Sequence, residues 1–274
     1  MNNDIEKDFN LGGSVEKALS GDYELKVGEV LREAGSMTLK HFLSFSPAVM
    51  ILLIAQLAIF YIALKLQLGD PSVILDIFNS PDSFNESMVQ AIFVANFSYE
   101  VVSAPIYAGI CLMAMSHTAG LNTKLRHIGK GLQFTVPVII TTLASLILQG
   151  VAGAFLPLVS LYLSLAFSNS ILLICEKRLS PFQALWLSLR GVNKKIFSIA
   201  VIYIVVTMLF VAAAVFYGVG LIFVLPLFFH VKGIIYRNMF GIRLKVVASD
   251  TSGSDDDNPP SNDDHDKNSK VFNA

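Results

Sequence analysis

Charge is scarce in this sequence: Asp, Glu, Lys and Arg make up 15% of its 274 residues, against about 25% in soluble domains. Hydrophobic residues reach 54%, with 20 Phe, and mean hydropathy is +0.61. This balance argues against a water-soluble enzyme. No strongly basic segment stands apart from the apolar runs, so nucleic acid is not expected as a partner. Cysteine is almost absent. Cys111 and Cys175 lie in or beside apolar runs without paired metal spacing, which predicts inert core thiols rather than a disulfide framework or a metal site. GxxxxGK[ST], HExxH, GxSxG and serine-lysine motifs are missing, and the five histidines are scattered along the chain. The expectation is a protein that is not an enzyme, with no catalytic residue, cofactor or metal. A basic, early apolar leader is missing too. The start, MNNDIEKDFN, is acidic and polar, and the first apolar run begins near residue 45, so no cleaved secretory signal is expected.

What is present is length in the apolar runs. A spanning helix needs about 20 mostly apolar residues. Six runs meet this, approximately Phe45 to Leu66, Met88 to Met115, Phe134 to Val151, Phe155 to Cys175, Ile196 to Tyr217 and Val219 to Phe240. The predicted fold class is an all-α integral membrane protein with six transmembrane helices, its partners membrane lipids and other membrane proteins. Gly150, Gly153 and Pro157 turn the second hairpin, and Gly218 and Gly220 the third.

The formal charge of −1 hides a partition, with −3 over residues 1–44, +7 over 45–245 and −5 over 246–274. An in-start topology puts every cation but Lys65 toward the inside, including Lys124, Arg126 and Lys130 in one loop and Lys177, Arg178, Arg190, Lys194 and Lys195 in the next. Short cytoplasmic loops retain Lys and Arg, so both termini are predicted to be cytoplasmic. Three regions follow: a cytoplasmic N-terminal segment with an amphipathic helix (1–44), the six-span domain (45–245) and a disordered acidic tail (246–274). The tail carries DTSGSDDDNPPSNDDHD, too charged and too poor in apolar side chains to order itself, and lacking the ligand spacing of a calcium loop.

Ser180 and Pro181 form a helix start, and Phe182, Leu185, Trp186, Leu189 and Val192 follow at helical spacing. With Arg190, Lys194 and Lys195 beside it, this stretch predicts a helix on the cytoplasmic membrane surface, anchored by Trp186 at headgroup depth and by Arg190. Weaker analogues are Val27 to Ala34, before the first span, and Leu121 to Leu132, before the third. The chain thus reads as three copies of surface helix, span, span, a pattern that arises in transporters and also from the ease of inserting helical hairpins.

Glu100 lies about 12 residues into the second span, where a carboxylate costs roughly 2.5 to 3.5 kcal/mol to insert. Asn96, Glu100, Ser103 and Tyr107 share one helical face, which Cys111 continues. Lys232, with His230 just before it, lies 13 residues from the outer end of the last span, so it is expected at a depth comparable to that of Glu100. The expectation is an intramembrane pair of Glu100 and Lys232, with Tyr107, His230 or Tyr236 as hydrogen-bonding partners. Such a pair either locks helices together or lines a solute or proton pathway, and the alternative for Lys232 is snorkelling to the headgroups. Pro105, Pro137, Pro157 and Pro226 permit bends. Asn85-Glu86-Ser87 and Asn96-Phe97-Ser98 match a glycosylation pattern, the second inside a span.

The block LSPFQALWLSLRGVNKKIFSIAVIYIVV and the later YGVGLIFVLPLFFHVKGIIYRNMFGI resemble the closing third of uncharacterised bacterial six-span inner-membrane proteins. These are the YciC-like group and the membrane domain attached to some glycerophosphodiester phosphodiesterases. The resemblance rests on Ser180, Pro181, Ala184 and Ser188, and on Gly218, Gly220, Pro226, Tyr236, Arg237 and Gly241, over about 70 residues. It implies a bacterial cytoplasmic membrane. The phosphodiesterase catalytic domain has no counterpart here, so no hydrolase activity is implied. The leading expectation is a scaffold or accessory of the cell envelope, and the alternative is a small-solute, lipid or proton-coupled carrier using the polar face of the second span. A cavity reaching Glu100 favours the carrier, and a dry contact of Glu100 with Lys232 favours the scaffold.

Overall fold

Lipid offers no partner to a peptide group, so apolar runs of this length satisfy their backbones as helices. The computed structural model describes residues 6–70, 72, 85–215 and 218–247. In chain order, β1 (Glu6–Leu11) and the short α1 (Val15–Ser20) lead to α2 (Val27–Lys40), α3 (Phe42–Leu68) and α4 (Glu86–Thr118). A 3-10 segment (Leu125–Phe134) then precedes α5 (Thr135–Phe155), α6 (Pro157–Ala166) and α7 (Ser170–Lys177). The chain ends with α8 (Pro181–Lys194), α9 (Ile196–Val215), α10 (Leu221–Phe240) and β2 (Ile242–Val247). Among the described residues, six helical stretches are long and apolar enough to cross a membrane: α3, α4, the 3-10 segment with α5, α6 with α7, α9 and α10. The protein is an all-α membrane protein of six spans, and its element order follows the threefold pattern of leading helix, span, span.

Three features depart from the expected layout. The fourth span is broken, since α6 ends at Ala166 and α7 begins at Ser170. Ser188 of α8 closes the gap from outside the span: its hydroxyl donates to the Ala166 carbonyl (2.6 Å) and accepts from the Asn169 N–H (3.2 Å). The stretch before the third span is a 3-10 helix that crosses α4 backbone to backbone, where Gly109 faces the Ile128 carbonyl and Gly131 faces Pro105 and Gly109. It is therefore packed into the bundle and not a free amphipathic helix.

The third departure is a two-stranded antiparallel sheet, with register from Glu6 opposite Val247 to Leu11 opposite Ile242. It joins the N-terminal segment to the stretch after the last span and puts both on one side of the bundle. Gly12 and Gly241 hold positive φ (93° and 67°) next to the strands, a conformation that costs glycine nothing. The acidic tail beyond residue 247 lies outside the described residues.

Burial is uneven along the spans. On the side of the strands, α4 is buried almost continuously from Ser103 to Thr118, and α10 from Phe229 to Phe240. On the far side, large apolar residues such as Ile54, Leu57, Tyr61, Leu66, Phe93 and Phe155 are exposed, as suits contact with acyl chains. The core thus sits at the terminal end of the bundle, with α2 laid across it. Arg237 of α10 donates two hydrogen bonds to Glu33 of α2, at 2.6 and 2.9 Å. Cys111 and Cys175 are both buried and free.

In α8, Ser180 and Gln183 form a capping box ahead of Pro181. The apolar stripe divides: Leu185 and Val192 turn inward, while Phe182 and Trp186 (62% exposed) turn out beside the exposed Arg190. Trp186 is the single tryptophan, so its emission in lipid bilayers should be quenched best by headgroup-level quenchers. Strongest quenching by mid-bilayer probes would contradict an interfacial α8.

Candidate functional site

One cavity of about 420 Å3 opens among α3, α4, α5, the α6–α7 break, α9 and α10. Its lining is polar for a membrane interior. Gln56 comes from α3, Glu100, Ser103 and Tyr107 from α4, Thr141, Thr142, Ser145 and Gln149 from α5, Ser168 from the break, Tyr203 from α9 and Lys232 from α10. Helical spacing of 3 and 4 brings Glu100, Ser103 and Tyr107 to one face of α4. The Ser103 hydroxyl donates to the Tyr99 carbonyl (2.6 Å) and accepts from the Gln56 amide (3.2 Å). The Thr142 hydroxyl is buried without a hydrogen-bond partner, and the buried hydroxyls of Ser168 and Tyr203 lie close enough to interact with each other.

Lys232 is 6% exposed. Its ammonium donates to the Ser168 carbonyl at 2.7 Å, one of the groups freed where the fourth span unwinds, and lies 5.4 Å from the Tyr107 ring and 5.9 Å from the Phe228 ring. A cation there suits the carbonyl end of α6, whose dipole carries partial negative charge. This engagement is inside the bundle, so Lys232 does not snorkel to the headgroups.

Glu100 and Lys232 line the same cavity and do not pair. Among the described residues the ion pairs are Lys26 with Glu24 and Glu29, Lys177 with Glu176, and Arg237 with Glu33. The expected pair is overturned by helix register. Gly233 packs against Ala114 and Thr118, and His230 bonds His117, so Lys232 stands beside Tyr107, seven residues from Glu100. At 1.5 Å per residue the Tyr107 position beside Lys232 is about 10 Å of helix rise from that of Glu100. Counting from the ends of the apolar runs hid this offset, because α4 is 33 residues long and α10 only 20. Asn96, one turn from Glu100 and exposed, reaches its carboxylate from outside the cavity.

Two of the expected partners belong elsewhere. The Tyr236 hydroxyl donates to Glu176 (2.7 Å), which also accepts from the Arg243 N–H (3.0 Å) and pairs with Lys177 (3.0 Å). His230 joins a buried relay that sequence reading dispersed into scattered histidines. Its Nδ1 is 3.0 Å from the Thr38 hydroxyl, its Nε2 is 2.9 Å from His117 Nδ1, and His117 Nε2 is 2.8 Å from the Thr123 hydroxyl. Thr38 donates to the Ala34 carbonyl, so it must accept from His230. With neutral rings every proton is then assigned: Thr123 donates to His117, His117 to His230, and His230 to Thr38. His41 stacks on His117 at 4.0 Å. The relay ties α2 to α4 and α10. With their ring nitrogens so committed, His117 and His230 offer no metal ligands, and no metal-holding group of His, Cys, Asp and Glu occurs among the described residues. The available clue was cost: a histidine in each of two apolar runs needs a buried partner.

Because Glu100 and Lys232 are apart, Glu100→Gln and Lys232→Met should affect thermal stability additively, within about 0.5 kcal/mol. Coupling above about 1 kcal/mol in a double-mutant cycle would restore the ion pair.

Comparison with protein families, with curated proteins and with solved structures found no match to this chain.

Proposed function

We propose that this protein is a carrier for a small polar solute and that the cavity between Glu100 and Lys232 is its binding site. The observation that carries this reading is an acid, a cation with no counter-ion among the described residues, and a buried hydroxyl without a partner, Thr142, around one space inside the bundle. Each buried hydroxyl without a partner costs about 1–3 kcal/mol. A scaffold has no use for that expense, whereas a polar ligand would satisfy these groups when bound. Unwound backbone beside a mid-membrane cavity also recurs in secondary carriers.

The cavity lies on the far side of the buried layer that holds the Glu176 cluster and the Arg237–Glu33 contact. The distribution of cations supports a cytoplasmic position for that layer and for both termini, and the YciC-like resemblance supports a bacterial cytoplasmic membrane. In this reading the conformation faces outward, and release inward requires the layer to part. The chain carries out no covalent chemistry.

Vesicles containing the purified protein should take up a labelled small polar solute faster than empty vesicles, with uptake abolished by Glu100→Gln. No uptake above empty vesicles for any solute, and no binding that depends on Glu100, would overturn the carrier.

A further inference from the structure

We propose that the solute is a zwitterion, bound with its amine toward Glu100 and its acid group toward Lys232; this rests on the carrier reading and specifies its substrate class. Lys232 is nine-tenths buried, and its hydrogen bond goes to a neutral carbonyl, Ser168, with aromatic faces on two sides. A neutral carbonyl leaves its charge uncompensated, and the missing partner is an anion. Glu100 has an amide for company, Asn96, and no cation among the described residues within salt-bridge distance. Its missing partner is a cation. A solute with one charge would satisfy one end of the cavity and leave the other charge buried and unpaired, which is the costly arrangement in a medium of low dielectric.

Geometry limits the class further. Lys232 stands beside Tyr107, two helical turns from Glu100 on α4, so the two charges of the ligand must lie several bonds apart. Phosphoethanolamine, with its amine and phosphate on one short linker, is such a ligand. The hydroxyls of Thr142, Ser168 and Tyr203 line the same space and offer hydrogen bonds to the polar atoms between the charged ends. Phosphoethanolamine chemistry has two sources, a free solute and the headgroup of a lipid.

The test is binding of O-phosphoethanolamine, ethanolamine and inorganic phosphate to the full chain in nanodiscs of phosphatidylglycerol or of phosphatidylethanolamine. O-phosphoethanolamine should bind at least tenfold more tightly than either single-charge probe. Glu100→Gln should remove that advantage while leaving phosphate binding unchanged, and Lys232→Arg, which keeps the charge, should retain it. Binding in both lipids identifies a free zwitterion, and binding only in phosphatidylglycerol identifies the lipid headgroup, already seated in the other disc. Equal affinity for O-phosphoethanolamine and a single-charge probe would overturn the zwitterion and leave the carrier standing. Absence of Glu100-dependent binding by any of the three, together with absent uptake, would remove both.

Discussion

Glu176→Ala should lower the stability of the protein by about 3–5 kcal/mol, the range expected when one member of a buried charged cluster is deleted. The Glu176 side chain is 2% exposed and its Lys177 partner 8%. Its two oxygens hold three different elements together: the Tyr236 hydroxyl of α10, the Arg243 N–H of β2 and the Lys177 ammonium of α7. Removing the carboxylate leaves the buried Tyr236 hydroxyl and the Arg243 N–H without their acceptor and the Lys177 ammonium without its counter-ion. Unfolding followed by loss of helical signal in detergent would measure the change. Tyr236→Phe, which removes a single donor, should cost far less, about 1 kcal/mol. Equal small losses for the two variants would show that this cluster does not hold the terminal layer together.

Gly109→Ala is expected to be comparably damaging, at about 3 kcal/mol, for a steric reason. A Cβ at Gly109 would stand 2.1 Å from the Ile128 carbonyl oxygen, and one at Gly131 would stand 2.2 Å from that of Pro105. Both obstacles are backbone, so no side chain can rotate away. The 3-10 segment would have to lift off α4, loosening one wall of the buried layer. Gly129→Ala is the internal control, because a Cβ there meets nothing within 4 Å. Thermal stability of Gly109→Ala close to that of Gly129→Ala would contradict the packing of the 3-10 segment on α4.

The six spans were legible because hydropathy and length decide them almost alone, and Glu100 and Lys232 stood out because a charge within an apolar run is expensive wherever it points. The helix at Pro181 was legible from its cap and stripe. What stayed hidden depends on register between distant segments. The depth of Lys232 relative to Glu100 is set by Gly233 against Ala114 and by His230 against His117, contacts that hydropathy along one helix does not encode. The break after Ala166 contains neither glycine nor proline. Its signal was the polar run Ser168, Asn169 and Ser170 within an apolar stretch, and its stabiliser, Ser188, lies in another helix. The strands pair residues more than 230 positions apart. The alternation in Ile242-Arg243-Leu244-Lys245 is a strand pattern of period two, concealed by its position at the end of the last span.

In a carrier of this design, water and a polar solute reach Glu100 within the membrane. The most direct measurement of that access is the reaction of a cysteine placed at Glu100 with a membrane-impermeant methanethiosulfonate, in a background where Cys111 and Cys175 are alanine. The carrier reading predicts modification of Glu100→Cys from the outer face of intact cells, while Leu57→Cys, on a lipid-facing surface of α3, stays unreactive. A Glu100→Cys thiol that is as inert as the Leu57→Cys thiol from both faces would contradict it.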